Sequence, residues 1–463
     1  MVFSSLLFLF IYLPVVLAIY YLVPCRWRNV WLFIANLAFY GWGEPVYILL
    51  MLFSICINFF AGILIDRNRE NRRKAKTVLI IDIVVNLAML SFFKYYDLFA
   101  ATLSLIPGVS IPALHLALPI GISFYTFQTM SYTVDVYRAD AKVQKNLITF
   151  GTFVTLFPQL IAGPIIKYKE LGEQLDQRTC TADRFAAGVL RFTVGLAKKL
   201  LLANNIGQLW DICKGSSSLS VAGAWLGVLS FSLQIYFDFS GYSDMAIGLG
   251  KMFGFEFSEN FRYPYVADSI TDFWRRWHIS LSTWFREYLY IPLGGNRCSK
   301  AKWIRNLFLV WAATGIWHGA SWNYLLWGLY YFVWLLAEKL FLGKLVNKLP
   351  GLFRRLYVIV ILLVGWAIFA LEDFGQLGRY LAVMFGLGGA PLFDPLAGYE
   401  LRNYLAVLIV GILGSTPLAA DLFRKLPEGC RTWARPVLLV LGLALCTAYL
   451  VAGTYNPFLY FRF

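Results

Sequence analysis

Charged side chains are scarce in this sequence. Only 14% of its 463 residues are Asp, Glu, Lys or Arg and 59% are hydrophobic, whereas a soluble domain carries about a quarter charged residues. Histidine occurs three times, and the seven cysteines include no CxxC pair. These shortages exclude a soluble domain of ordinary composition. They also argue against a zinc site, which takes His and Cys ligands at short spacing, so we expect no metal centre.

Apolar runs recur along the whole chain, and a helix that crosses a bilayer needs roughly 20 apolar residues. The clear runs are Phe3–Val23, Val46–Ile65, Thr77–Phe93, Trp322–Ala337, Leu356–Leu371 and Val437–Val451. More interrupted runs are Trp31–Trp42, Leu116–Val134, Ile148–Ile166, Gly223–Phe239, Trp303–Ile316 and Tyr404–Leu413. The sequence therefore predicts an all-α polytopic membrane protein, with about 11–13 membrane-entering helices by this length rule.

Basic residues outnumber acidic ones, 41 to 26, and they gather in the loops between apolar runs. The densest group is DRNRENRRKAK at Asp66–Lys76. Because cytoplasmic loops are enriched in Lys and Arg, loop 66–76 is predicted to be cytoplasmic in a multi-pass protein of the cell membrane. We expect these residues to meet membrane lipids and no nucleic acid.

The chain shows no internal repeat, and we interpret residues 1–463 as a single integral-membrane domain. Between about residues 115 and 345 Gly, Pro, Ser, Asp, Arg and His interrupt the apolar runs. Polar or non-helical backbone at membrane depth is tolerated only when it is buried in protein or lines a cavity. This middle part is therefore the predicted catalytic core. In it, FPQLIAGPI (Phe157–Ile165) is predicted to end or break a helix at its Gly163–Pro164 pair, with Pro158 upstream.

Residues Asp268–Tyr290 are predicted to form one amphipathic helix. Their large apolar side chains are spaced three and four apart, which places them on one stripe: Trp274, Trp277, Leu281, Trp284 and Tyr288. His278 falls at the flank of this stripe. Two interpretations fit the Trp and Arg content equally, a membrane-surface anchor or the wall of a tunnel for an anionic donor.

The ends of this helix also carry local signals. Asp268 or Ser269 can cap its start, and Asp272 lies four residues before Arg276, as an ion pair on a helix requires. The following IPLGGNR (Ile291–Arg297) ends the helix through its proline and two glycines.

His318 lies in Trp311–Tyr331, a stretch without Asp, Glu, Lys or Arg. The surrounding Gly315–Gly319 spacing allows close helix contact, in which an imidazole can simply hydrogen-bond across helices. Ionisable side chains within membrane segments also mark functional sites, and imidazole exchanges a proton near neutral pH. Both interpretations stay open from this residue alone.

Asp238 and Asp244 are the acidic residues of an otherwise apolar run. Six positions separate them, so they point to different faces of a helix. Capping, or pairing with Arg275, Arg276 or Arg286, accounts for both; a proton relay in a transporter is the alternative.

Taken together and in this order, several segments resemble the membrane-bound O-acyltransferase (MBOAT) family. The resemblance is strongest from about residue 118 to 335 and closest to the bacterial AlgI/PatA-like branch of polysaccharide O-acetyltransferases. The segments are FPQLIAGPI, GLAKKLLLANN, IYFDFSGYSDMAIG, FWRRWHISLSTWFREYLYIPLGGNR and TGIWHGASWNYLLWG.

The resemblance implies a ring of helices around a central tunnel that joins the two faces of the membrane. It places the family's invariant histidine on His318, as catalytic base, and a second catalytic position, usually Asn, Asp or His, on His278. The residues expected to bind substrate or shape the tunnel are Trp317, Trp322, Asn323, Arg275, Arg276, Arg286 and Asp238.

The resemblance further implies the reaction and its participants. An acetyl group from acetyl-CoA or another acyl thioester, with no bound cofactor, would O-acetylate an extracytoplasmic polysaccharide. A separate SGNH-type acetyltransferase or other polysaccharide-synthesis proteins would be the partners. The alternatives are a D-alanyl transferase of the DltB type, a proton-coupled transporter or flippase using Asp238, Asp244 and His318, and a non-catalytic scaffold.

Overall fold

The computed structural model describes residues 1–161, 163–216, 218–453, 455–457 and 459. Within these ranges the chain is largely α-helical, and no β-strand occurs there, which confirms the predicted all-α class. The residues group into two compact units, Met1–Phe192 with Met245–Ser258, and Thr193–Asp244 with Glu259–Phe463.

The described residues of the first unit form eight helices and the start of a ninth, together with the end of the later helix Val221–Met252. They are α1 (Leu13–Leu22), α2 (Arg28–Gly43), α3 (Ile48–Arg67), α4 (Arg72–Leu103), α5 (Ile122–Arg138), α6 (Leu147–Thr155), α7 (Phe157–Leu160), α8 (Tyr168–Asp176) and α9 (Ala182–Ala197). The predicted helix end before the Gly163–Pro164 pair is confirmed, since α7 ends at Leu160. A further break, which was not predicted, lies between α6 and α7, where Leu156 leaves the helical conformation. The side-chain oxygen of Asn36 accepts the freed N–H of Phe157 at 3.2 Å, which satisfies a buried donor.

The second unit contains the remaining helices. They are α10 (Asn204–Gly215), α11 (Val221–Met252, whose end lies in the first unit), α12 (Ile270–Arg276), α13 (Ile279–Phe285), α14 (Lys300–His318), α15 (Trp322–Ala337), α16 (Gly343–Val346), α17 (Gly351–Ala370), α18 (Phe374–Met384), α19 (Pro395–Gly414), α20 (Leu418–Lys425) and α21 (Glu428–Ala452). Turns of π-helix occur at Phe8–Tyr12, Lys198–Ala203, Arg286–Tyr290 and Glu338–Leu342.

Seven helices of the described chain are long and apolar enough to cross a membrane. They are α3, α4, α11, α15 with its extension to Val346, α17, α19 and α21, and the shorter apolar helix Phe8–Leu22 accompanies them. The protein is thus a multi-pass membrane protein. The other segments predicted to enter the bilayer lie in helices that are shorter or less apolar.

Helices α14 and α15 pack with almost no space between their backbones. A Cβ atom built on Gly315 would lie 2.4 Å from the carbonyl oxygen of Tyr324, and one on Gly328 would lie 2.4 Å from that of Trp311. Only glycine allows this approach. The predicted close helix contact is confirmed at Gly315, and its second glycine is Gly328, whereas Gly319 lies beyond the end of α14 and faces the ring of Tyr324. The contact fixes α14, which ends at His318, against α15.

We expect Gly328→Ala to destabilise the protein by about 1–3 kcal/mol, because the added methyl group meets backbone that cannot move aside. Thermal unfolding of the detergent-solubilised protein measures the change. Gly378→Ala is the matched control, since Gly378 is an exposed residue of α18 with nothing within 4 Å of its added Cβ. Equal unfolding temperatures for the two variants would contradict the packing argument.

Candidate active site

The predicted single helix over Asp268–Tyr290 is wrong, because the chain breaks at Trp277 and His278. Trp277 is extended, and His278 adopts a left-handed conformation with φ 45° and ψ 55°. Another segment takes over the hydrogen bonds of the interrupted helix. The N–H of Ile279 donates to the carbonyl of Asn260, and the N–H of Arg262 donates to that of Arg276, each at 3.0 Å.

The local signals at the start of α12 are confirmed. Of the two candidate caps, Ser269 accepts the N–H of Asp272 at 3.0 Å, and Asp272 pairs with Arg276 at 2.9 Å. Glu338 adds a contact that the sequence did not indicate, since its carboxylate accepts the N–H groups of Ile270 and Thr271 at 2.7 and 3.0 Å. The helix therefore begins against the π-helical turn that follows α15. The predicted end is also confirmed, as Gly294 and Gly295 have positive φ.

His278 is buried, with 2% of its surface exposed. Its Nδ1 lies 3.2 Å from Oδ1 of Asn260. The ring of Phe239 stands edge-on to the imidazole at 4.6 Å, and that of Trp317 lies at 6.1 Å, between ring centroids. A hydrogen bond on one side and aromatic rings on others hold the imidazole in one orientation.

His318 is the last residue of α14 and has 8% of its surface exposed. Aromatic rings surround its imidazole, with centroids at 5.2 Å for Trp317, 5.1 Å for Trp327 and 5.4 Å for Phe369. Trp317 thus contacts both histidines. These rings form an apolar wall around the imidazole.

Both histidines line one cavity of about 210 Å³. Three cations, Arg275, Arg286 and Lys339, also line it. The remaining lining residues are mostly apolar or hydroxylic: Thr271, Trp274, Trp277, Leu281, Ser282, Phe285, Tyr290, Leu307, Val310, Trp311, Thr314 and Leu335. An imidazole pair beside an apolar cleft with a cationic rim can bind an anionic, partly apolar molecule and exchange protons with it.

Other residues predicted for the site do not line this cavity. Arg276 pairs with Asp272, as described above. The amide of Asn323 is buried and donates to the carbonyls of Ile368 and Phe369 at 3.2 and 3.0 Å, so it joins α15 to α17. Trp322 is exposed.

The two aspartates of α11 have lysine partners. Asp238 pairs with Lys199 at 2.6 Å and Asp244 with Lys198 at 2.7 Å, so the predicted pairing with Arg275, Arg276 or Arg286 is wrong. The lysines come from the start of the π-helical turn Lys198–Ala203. Asp238 also accepts the N–H of Leu459 at 3.0 Å.

Two residues near this site, Lys339 and Asn260, were not predicted from the sequence. Lys339 follows the apolar run of α15 and resembles an ordinary interfacial lysine. Its position directly after a membrane span could have indicated a cation near the site. Asn260 lies in a segment without helical periodicity, and no local pattern indicated it. In the described part of the chain, no three His, Cys, Asp or Glu side chains converge to hold a metal ion.

The sequence model of the membrane-bound O-acyltransferase (MBOAT) family matches residues 34–370 of this chain. The chain belongs to the MBOAT family. It is 38% identical to the probable alginate O-acetylase AlgI of Azotobacter vinelandii over the full length of both. It is 47% identical to the probable alginate O-acetylase AlgI of Pseudomonas aeruginosa over 89% of this chain and 81% of that protein. The peptidoglycan O-acetyltransferase of Helicobacter pylori is 35% identical over 85% of this chain and 81% of its own.

Family membership establishes the class of chemistry. The protein is a membrane-embedded O-acyltransferase, and the resemblance of its AlgI-like segments is confirmed. An MBOAT enzyme needs an acceptor hydroxyl, an activated acyl group and a proton acceptor. The cavity that both histidines line offers two candidates for this proton acceptor.

Proposed function

We propose that this MBOAT protein moves an acetyl group from a cytoplasmic thioester across the membrane for O-acetylation of an extracytoplasmic polysaccharide. Acetyl-CoA, or another acyl thioester, is the donor, and no bound cofactor takes part. The names of the relatives, alginate O-acetylase and peptidoglycan O-acetyltransferase, support the acetyl group and the polysaccharide. The observation that carries the proposal is the placement of His318 and His278 on one cavity.

His318 is the general base of this reaction. As the acceptor oxygen forms its bond to the thioester carbonyl carbon, its proton passes to a ring nitrogen of His318. Collapse of the tetrahedral intermediate breaks the carbon–sulfur bond, and the thiolate leaves and takes up the proton. The aromatic wall of Trp317, Trp327 and Phe369 keeps water away, which protects the thioester from hydrolysis.

The cationic rim of the cavity binds the donor. Arg275 and Arg286 are contacts for phosphate groups of a nucleotide-bearing thioester, since guanidinium groups bind phosphate through paired hydrogen bonds. Lys339, which follows α15, is a third cationic contact for the donor. Its Nζ also lies 5.6 Å from the centroid of the Trp303 ring.

We expect Lys339→Met to raise KM for the acyl donor by about tenfold with little change in kcat. A charge-assisted hydrogen bond contributes about 1.5–3 kcal/mol, and the methionine keeps the apolar volume. Donor-concentration curves with purified protein measure the change. Lys348→Met, an exposed lysine outside the cavity, is the matched control, and an unchanged KM in the Lys339 variant would remove Lys339 from the donor site.

The proposal also covers location and partners. The protein lies in the inner or plasma membrane with loop 66–76 in the cytoplasm, surrounded by lipid. A separate extracytoplasmic SGNH-type acetyltransferase, or other polysaccharide-synthesis proteins, receives the acetyl group.

The test measures base-labile acetate on cell-envelope polysaccharide from a strain that lacks the gene. Complementation with wild type is expected to restore acetate, and complementation with His318→Ala at equal membrane abundance is not. Restoration by both would refute the role of His318. If the lost ester is D-alanine, the protein is a D-alanyl transferase of the DltB type; if no ester depends on the gene, the polysaccharide acetylation proposed here is wrong.

A further inference from the structure

Asn260 lies at the centre of the polar contacts around His278 and is fully buried. Its Oδ1 is 3.2 Å from Nδ1 of His278, 3.2 Å from the backbone N of Ser280 and 2.9 Å from Oγ of Ser280. Its Nδ2 donates to Oγ of Ser243 at 3.0 Å. The amide thus connects the break between α12 and α13 to helix α11.

The orientation of this amide follows from one of these contacts. A backbone N–H can only donate, so the Asn260 atom that faces the N–H of Ser280 is the oxygen. The hydroxyl of Ser243 faces the other side and accepts from the NH₂ group. Oγ of Ser280 also lies 3.4 Å from Nδ1 of His278, but it is closer to Oδ1 of Asn260, at 2.9 Å, and donates its hydrogen there. Because an amide oxygen can only accept, the hydrogen between Oδ1 of Asn260 and Nδ1 of His278 belongs to Nδ1.

We propose that Asn260 is a positioning residue that fixes His278 as the Nδ1–H tautomer, so that His278 acts in acyl transfer as an acceptor through Nε2. A neutral imidazole with hydrogen on Nδ1 has a lone pair on Nε2 and no hydrogen to donate there. His278 then accepts a hydrogen bond from an O–H or N–H group in the cavity; it does not donate one to a developing oxyanion. This inference rests on the proposed function for its catalytic consequence, and on the hydrogen bonds alone for the tautomer.

A purely structural role for Asn260 is the competing explanation. Its backbone carbonyl accepts the N–H of Ile279 at 3.0 Å, and its side chain secures the start of α13. Substitutions that only loosen this segment would lower folded protein and activity together, without any defined change in the protonation of the ring. The decisive measurement therefore observes the ring nitrogens directly.

The chain has only three histidines, so protein grown with ¹⁵N-histidine and reconstituted in lipid gives three imidazole signal sets. Solid-state NMR distinguishes protonated from unprotonated ring nitrogens, and His278→Gln identifies the signals of residue 278. We expect Nδ1 protonated and Nε2 unprotonated for neutral His278 in the wild type. The reverse assignment in the wild-type spectrum would overturn the proposal, and no variant is needed for that result.

Two substitutions at 260 test the link to activity. Asn260→Leu removes the acceptor at similar volume, and we expect loss of the single tautomer and a turnover about 10- to 100-fold lower, as for partners that orient a ligating histidine, with KM unchanged. Asn260→Asp keeps an acceptor oxygen, and we expect it to retain the Nδ1–H tautomer and more turnover than the leucine variant. A leucine variant that keeps both tautomer and turnover contradicts the proposal.

The readouts separate this inference from the proposed function. If wild-type protein transfers no acetyl group but shows the Nδ1–H tautomer, the proposed function fails and the tautomer assignment stands. If Asn260→Leu does not fold, the wild-type spectrum and the Asn260→Asp variant still decide the assignment.

Discussion

Replacement of His318 by glutamine is expected to slow acetyl transfer by roughly 10²–10⁴-fold, the range that a general base contributes. Glutamine keeps a polar side chain of similar length but cannot take up a proton from the acceptor hydroxyl. The rings of Trp317, Trp327 and Phe369 exclude water that would replace it. Initial rates with purified, lipid-reconstituted protein and a thioester donor measure the effect, with KM for the donor expected to change little.

His115→Asn is the matched control for this prediction. His115 is exposed, belongs to the first compact unit and has φ 47°, and asparagine tolerates such a left-handed conformation. We expect wild-type rates from it. A His318→Gln enzyme that works within a few-fold of wild type would mean that the proton acceptor lies elsewhere.

Replacement of Lys199 by methionine is expected to destabilise the protein by about 3–5 kcal/mol, because it leaves the carboxylate of Asp238 buried without its cation. The two side chains are only 2% and 4% exposed and lie 2.6 Å apart. Thermal unfolding in detergent, or the fraction of folded protein after mild heating, measures the loss. We expect Lys199→Met with Asp238→Leu to regain much of it, since removal of both charges leaves no buried charge.

The neighbouring ion pair is a built-in comparison. Lys198 and Asp244 lie 2.7 Å apart, but the lysine side chain is 24% exposed, so water screens the charges that a single substitution leaves behind. We expect Lys198→Met to destabilise the protein less than Lys199→Met. Equal losses would show that burial does not determine the strength of these contacts.

Features that depend on near neighbours in the chain could be predicted from the sequence. The cap at Ser269, the ion pair between Asp272 and Arg276, and the helix end at the two glycines after Pro292 each involve residues a few positions apart. The close contact of α14 with another helix was also predictable in part, since Gly315 is one of its two glycines, but the other, Gly328, was not predicted. The long apolar spans follow from the same kind of local information.

Features that depend on distant segments could not be predicted. Apolar periodicity continues through Trp277 and His278 as if one helix were present, and the break exists because Asn260 and Arg262 exchange backbone hydrogen bonds with this segment. The partners of Asp238 and Asp244 depend likewise on how the turn beginning at Lys198 packs on α11. Arg275, Arg276 and Arg286 have the charge that a partner of these aspartates needs, but the sequence does not show which cations lie close to them in space.

The left-handed backbone at His278 also restricts evolution at this position. Side chains other than glycine are strained there, and Asn, Asp and His are the types that adopt the conformation most readily. The resemblance to the MBOAT family implies the same three residue types, Asn, Asp or His, at this position. Backbone geometry therefore selects the same short set of polar residues that the chemistry uses, and a β-branched or bulky replacement would be removed by selection for folding before its effect on acyl transfer was ever tested.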